Sequence, residues 1–180
     1  IFSSLDLGEI KCTRRMKATQ SKVQVVVRMR PSNEKELATG RGNGWHCLEG
    51  VNSIAQLETD AFGKEYQVEP SSISYFSFDK VFGPQDTTEK IYHDVVDPLV
   101  KASVQGMNGT VFAYGQTSSG KTFTMTGDEE EAEHEDNQFG LVQMANAAIF
   151  EAIENDPSRE FLLRASYLEV YNEQLRDLLA

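Results

Sequence analysis

Eight consecutive residues, Gly115 to Thr122, read G-Q-T-S-S-G-K-T and fill every fixed position of the pattern G-x-x-x-x-G-K-[ST]. Nothing else in the sequence constrains the chain so tightly. An apolar run of strand length, Thr110 to Tyr114, comes just before, and Phe123 to Thr126 follows as a first helical turn. A strand, a glycine-bearing loop and a helix start, in that order, make a cradle for an anion. Backbone N–H groups of Gln116, Thr117, Ser118 and Ser119 converge there, and the helix dipole adds positive potential. Gly115 and Gly120 permit backbone angles and close approaches that a Cβ would block. Lys121 supplies a point charge suited to β- and γ-phosphates, and the Thr122 hydroxyl is a ligand for Mg²⁺.

A chain of 180 residues is long enough for one domain with a core of its own. Its formal net charge of −11 argues against a nucleic-acid partner. Much of that charge is local: Asp128 to Asp136 holds seven acids in nine residues, which predicts a solvated loop over 128–138. His134 within it reads as a loop histidine before it reads as a metal ligand. No apolar stretch is long enough to span a membrane, and the N-terminus lacks the apolar segment of a signal peptide. Cys12 and Cys47 are far apart, so both are expected as free thiols in a reducing, cytoplasmic setting. Residues 1–20 show no periodicity and are expected to form a mobile leader.

The pattern of the remainder favours an α/β layered fold. Lys22 to Arg30 is rich in β-branched residues and ends at Pro31, which predicts a strand. Ser32 to Gly50 reads as loop, with short strands at Ser53 to Leu57 and Tyr66 to Val68. Tyr75 to Phe82 reads as one strand, with Phe76, Phe78 and Phe82 on one side as core. A helix follows, with Asp86 and Thr87 as candidate N-caps and Ile91, Val95, Leu99 and Val104 as its apolar stripe. Pro98 predicts a kink in it, and Gly106 and Gly109 end it. Leu141, Met144, Ala145, Ala148, Ile149 and Ala152 recur at helical spacing until Asn155-Asp156-Pro157. Phe161 to Tyr171 reads as a strand and Asn172 to Leu179 as a short turn of helix.

Four segments in order then resemble one family, the motor domain of kinesins, over about Lys22 to Leu179. They are V-V-R-M-R-P from Val26 to Pro31, F-S-F-D-K-V-F from Phe76 to Phe82, the whole stretch from Gly106 to Gly127, and Y-L-E-V-Y-N-E-Q-L-R-D-L-L from Tyr167 to Leu179. The resemblance implies a P-loop NTPase, a layered α/β/α fold on a central twisted mixed sheet, incomplete in residues 21–180. It implies ATP or ADP with Mg²⁺ as cofactors and the microtubule as partner, on the cytoskeleton. Arg28, Arg30 and Pro31 would form the wall behind the adenine, where a guanidinium plane and a pyrrolidine ring suit the face of a base. Gly115, Gln116, Thr117, Ser118, Ser119, Gly120, Lys121 and Thr122 would hold the phosphates, with Phe123 on the adenine side. Met107 stands where many relatives have Tyr, an exchange expected to loosen adenine packing. Read alone, Arg28 and Arg30 are equally surface charges at a strand end.

The family's two switch motifs, N-x-x-S-S-R-S-H and D-L-A-G-S-E, do not occur in the 180 residues, and no apolar run after Thr122 ends in a Walker B aspartate. The expectation is therefore the ATP-binding half of a motor ATPase, binding nucleotide weakly and hydrolysing it negligibly by itself. In the family's sheet both neighbours of Thr110 to Tyr114 come from the other half, so its edges are expected to lie unpaired and to invite self-association. The alternative is a non-catalytic nucleotide- or partner-binding module. A small kinase fits less well, because such enzymes open with the phosphate loop near the N-terminus.

Overall fold

The structure is a computed structural model and describes residues 23–38, 44–48, 50–56, 75–127 and 139–180. The expected leader, the strand at 66–68 and the acidic loop at 128–138 lie outside the described residues. The chain divides into two compact units, Ile1–Gln85 and Asp86–Ala180.

In the first unit, β1 (Val26–Arg28) lies parallel to β5 (Lys80–Phe82), with Val27 opposite Val81. A separate antiparallel sheet has the order β2 (Trp45–Leu48), β3 (Ser53–Gln56), β4 (Tyr75–Ser77). The run from Tyr75 to Phe82 is thus two strands in two sheets, not one. The chain turns at Phe78 and Asp79. The Phe78 N–H donates to the carbonyl of Asn52, and the Asp79 carboxylate accepts the Val25 N–H at 2.7 Å, which ties the switch point to the start of β1. The three phenylalanines separate accordingly: Phe82 is buried and Phe76 is 52% exposed. Ala55, opposite Tyr75, and Ser53, opposite Ser77, are buried, and the Ser53 and Ser77 hydroxyls share a hydrogen bond of 2.9 Å across β3 and β4.

The segment Ser32 to Gly50 is not the plain loop its polarity suggests. It contains β2 and a short helix α1 (Glu34–Ala38). Asn33 Oδ1 accepts the Glu36 N–H, and Glu36 Oε2 accepts the Asn33 N–H, both at 2.8 Å. That reciprocal pair satisfies two donors that a helix start otherwise leaves bare.

The second unit is mainly helical. Thr87 caps α2 (Thr88–Ile91) by accepting the Lys90 N–H, while Asp86 pairs with Lys90 Nζ at 2.6 Å. One π-helical turn, Tyr92–Val96, joins α2 to α3 (Asp97–Val104). The Asp97 N–H reaches back five residues to the Tyr92 carbonyl, so the helix widens where Pro98 would otherwise strike the preceding turn. The kink expected at Pro98 takes this form. It also shifts the buried stripe to Ile91, Tyr92, Val96 and Val100, leaving the expected Val95 and Leu99 half-buried. The helix closes in a Schellman motif: Gly106 (φ +97) donates to Ser103 and Met107 donates to Ala102.

After α4 (Lys121–Thr126), α5 (Leu141–Glu154) packs along α2, the π turn, α3 and α4, with Leu141 buried. Its C-cap is Asn155, just before Pro157. The last element is a hairpin, β6 (Leu168–Tyr171) and β7 (Gln174–Asp177), so Asn172 to Leu179 holds a turn and a strand where helix was expected. Asn172 and Glu173 both have positive φ, the signature of a type I′ turn that fits the strand twist. The expected strand at Phe161 to Tyr171 begins only at Leu168. Among the described residues no helix is long and apolar enough to cross a membrane.

Candidate phosphate-binding site

Thr110 to Tyr114 enters the loop without regular secondary structure and without a ladder partner among the described residues. The buried strand read from its apolar character is therefore absent: Phe112 is 78% exposed and Tyr114 95%. Apolar residues form a strand only when another strand supplies the hydrogen bonds, and among the described residues the paired strands of this unit are β6 and β7.

The loop itself is closed by its own side chains and turns. The Ser119 N–H donates to the Gln116 carbonyl at 3.3 Å, making a four-residue turn. Lys121 Nζ then donates to the carbonyls of Gly115 at 2.9 Å and Gln116 at 2.7 Å. The lysine thus arches over the loop and holds its ammonium at the mouth. A Cβ on Gly115 would lie 2.5 Å from Ser119 Oγ and 3.2 Å from Ser119 Cβ, so a larger residue there would force that serine side chain to turn away. Gly120 has φ +95 and ψ 19, left-handed angles that cost glycine nothing, and it is the N-cap of α4. No side chain caps that helix. Its first N–H groups face the loop, where an anion would satisfy them.

Within α4, Thr124 Oγ1 bonds back to the Gly120 carbonyl at 2.8 Å, and Thr126 Oγ1 to the Thr122 carbonyl at 3.0 Å. Thr122 is exposed, and Phe123 is half-buried. The far end of α4 is anchored to α5: Gly127 bridges to Phe139, and Gln143 Nε2 donates to the Thr126 carbonyl at 2.6 Å. Sequence reasoning passed over Gln143, which has no motif to mark it. An open cleft of about 620 Å³ is lined by Ser103, Gly106, Met107, Asn108, Gly109 and Thr110, and no residue of the phosphate loop contributes to it.

Arg28, Arg30 and Pro31 belong to the first unit. Arg28 ends β1 half-buried, and burial pulls its guanidinium below the usual value. Arg30 pairs with Glu36 at 2.5 Å. The Asn33 N–H and then Arg30 hold the Glu36 carboxyl below its usual range. The N-x-x-E spacing of Asn33 and Glu36 was the available sign that Arg30 would have a fixed partner. Pro31 is exposed.

Comparison with known proteins identifies the family. Residues 28–180 match the sequence profile of the kinesin motor domain. The chain is 43% identical over 157 residues to kinesin-like protein KIN-7D, mitochondrial, of Arabidopsis thaliana, covering 87% of this chain and 13% of that protein. It is 40% identical over 162 residues to human centromere-associated protein E, covering 90% of this chain and 5% of that one. With kinesin-like protein NACK1 of Nicotiana tabacum it shares 40% over 160 residues, covering 89% and 15%. The chain thus spans a small part of the length of these relatives. By that sequence match over most of its length, the chain belongs to the kinesin motor domain family and to that family's P-loop α/β fold.

Proposed function

We propose that this chain is the nucleotide-binding portion of a microtubule motor ATPase, taking ATP or ADP with Mg²⁺ at Gly115 to Thr122. The observation that carries the reading is Lys121, whose ammonium is held at the loop mouth by the carbonyls of Gly115 and Gln116, beside an uncapped helix start. A triphosphate tail would meet main-chain amides of Gln116 to Gly120 and one fixed cation there, which is how such loops bind polyphosphate. Bound Mg²⁺ would neutralise charge on the β- and γ-phosphates. The Thr122 hydroxyl is the protein ligand for it. Among the described residues no cluster of His, Cys, Asp and Glu could hold a metal, so the phosphates and water would supply the other ligands.

By resemblance to the family, Arg28, Arg30, Pro31 and Phe123 are the residues proposed to meet the adenine. Pairing with Glu36 leaves the flat face of the Arg30 guanidinium available for stacking. The partner is the microtubule, bound through motor elements beyond these residues. The place of action is the cytoskeleton. Neither switch motif occurs in the 180 residues, and no residue here positions an attacking water. The 180 residues therefore bind nucleotide weakly and turn it over negligibly.

Calorimetric titration with Mg-ADP tests the site. The chain should bind saturably, and Lys121→Ala should weaken binding by about tenfold or more, the scale of one lost charge-assisted contact. Equal affinity in the variant would remove the loop as the site. Phosphate release at a rate comparable to an intact motor would refute the absence of turnover.

A further inference from the structure

Ser118 is the one residue of the loop whose backbone does what its side chain opposes. Its φ is +64, in the left-handed region that L-residues other than Asn and Asp rarely adopt. The hydrogen bond from the Ser119 N–H to the Gln116 carbonyl makes Gln116 to Ser119 a β-turn with Thr117 and Ser118 at its centre. A positive φ at the third residue alone marks a type II turn, whose third position is ordinarily glycine. The Ser118 side chain is exposed and makes no hydrogen bond among the described residues. Nothing that its hydroxyl does explains the conformation.

The turn has a consequence for Lys121. The Gln116 carbonyl that closes the turn is also an acceptor for the Lys121 ammonium, at 2.7 Å. If residue 118 relaxes to a negative φ, the turn opens, that carbonyl rotates, and the ammonium loses half of its seat. The Ser119 N–H, which donates to that carbonyl, loses its acceptor as well.

We propose that Ser118 is a positioning residue that sets nucleotide affinity through the population of its left-handed conformation, with no contact of its own to the ligand. The proposal rests on the reading of the loop as the nucleotide site. It gives a ranking that polarity and size do not. Glycine reaches positive φ freely, asparagine tolerates it, alanine resembles serine, and valine all but forbids it.

Mg-ADP affinity is measured by calorimetry on the full 180-residue chain and on Ser118→Gly, Ser118→Asn, Ser118→Ala, Ser118→Val and Lys121→Ala, with thermal melting of each. Ser118→Gly should bind several-fold more tightly and Ser118→Asn at least as tightly. Ser118→Ala should stay within about twofold, and Ser118→Val should bind about tenfold more weakly, the range set by the cost of left-handed angles. The glycine arm keeps the test sound even if the valine variant folds poorly. A ligand-binding hydroxyl would instead make both glycine and alanine variants weaker, and that result overturns the proposal. So does a flat series while Lys121→Ala loses binding, which leaves the nucleotide reading standing. No saturable binding by the unaltered chain overturns both.

Discussion

Gly140 shows how one hydrogen in place of a methyl group can fix the setting of the site. A Cβ there would run into the carbonyl of Met125 and come within 2.5 Å of the Gly127 nitrogen. Both are backbone atoms at the end of α4, and neither can move cheaply. Gly140→Ala should therefore destabilise the helical unit by about 2 kcal/mol, the scale of forced overpacking, and lower its Tm by several degrees. An unchanged melt would show that the Gly127–Phe139 bridge is dispensable. Tyr92 makes a second case. It is buried, its hydroxyl oxygen has no partner among the described residues, and burial first, then the charge of Asp97, pushes its phenol above the ordinary value near 10. The neutral form is thus favoured by folding. The unfolded chain gives up this proton first as pH rises, so stability falls from about pH 10 upward, through the raised pKa. Tyr92→Phe should be neutral or stabilising at pH 7, since an orphaned buried oxygen costs about 1–3 kcal/mol, and should lose less stability at high pH. Denaturant melts from pH 8 to 11 check both; a large loss at pH 7 would mean that the phenol has a partner.

The elements that could be read from sequence are those whose signals are local. The phosphate loop, the Thr87 cap, the glycine stop at Gly106 and the helix from Leu141 depend on residues within one or two turns, and the structure has all of them. Elements that depend on a distant partner were misread. Thr110 to Tyr114 is apolar enough for a strand, yet a strand is a property of a pair. Tyr75 to Phe82 alternates throughout, but its two halves pair with different strands. The helix before Gly106 is present and Ile91 is buried as expected, but beyond it the buried face lies elsewhere, because the π turn adds a residue and rotates all that follows. The terminal hairpin was missed because its turn is Asn172-Glu173 and not Asn-Gly. That substitution carries a prediction. Glu173→Gly relieves a left-handed Glu and should stabilise the hairpin by about 1 kcal/mol. Amide exchange within Tyr171 to Gln174 should slow by several-fold, and unchanged exchange would contradict the turn assignment.

Over the whole chain, apolar surface outruns what the described contacts bury. In the second unit, Phe112, Tyr114, Leu162, Val170, Tyr171 and Leu175 are each more than 69% exposed. A two-stranded ribbon open on both faces and an apolar run without partners are poorly stable in water. Amides of Val111 to Ala113 should exchange freely in dilute solution, and the chain should associate as its concentration rises. Phe112→Asp with Tyr114→Ser should reduce that association, measured by light scattering. Strong protection in a dilute monomer would contradict it. The central claim concerns the cradle, and titration of ¹⁵N-labelled chain with Mg-ADP addresses it directly. The largest amide shifts should fall on Ser119, Gly120 and Lys121, saturate together, and vanish in Lys121→Ala. Shifts centred elsewhere, or none at millimolar ligand, would contradict it.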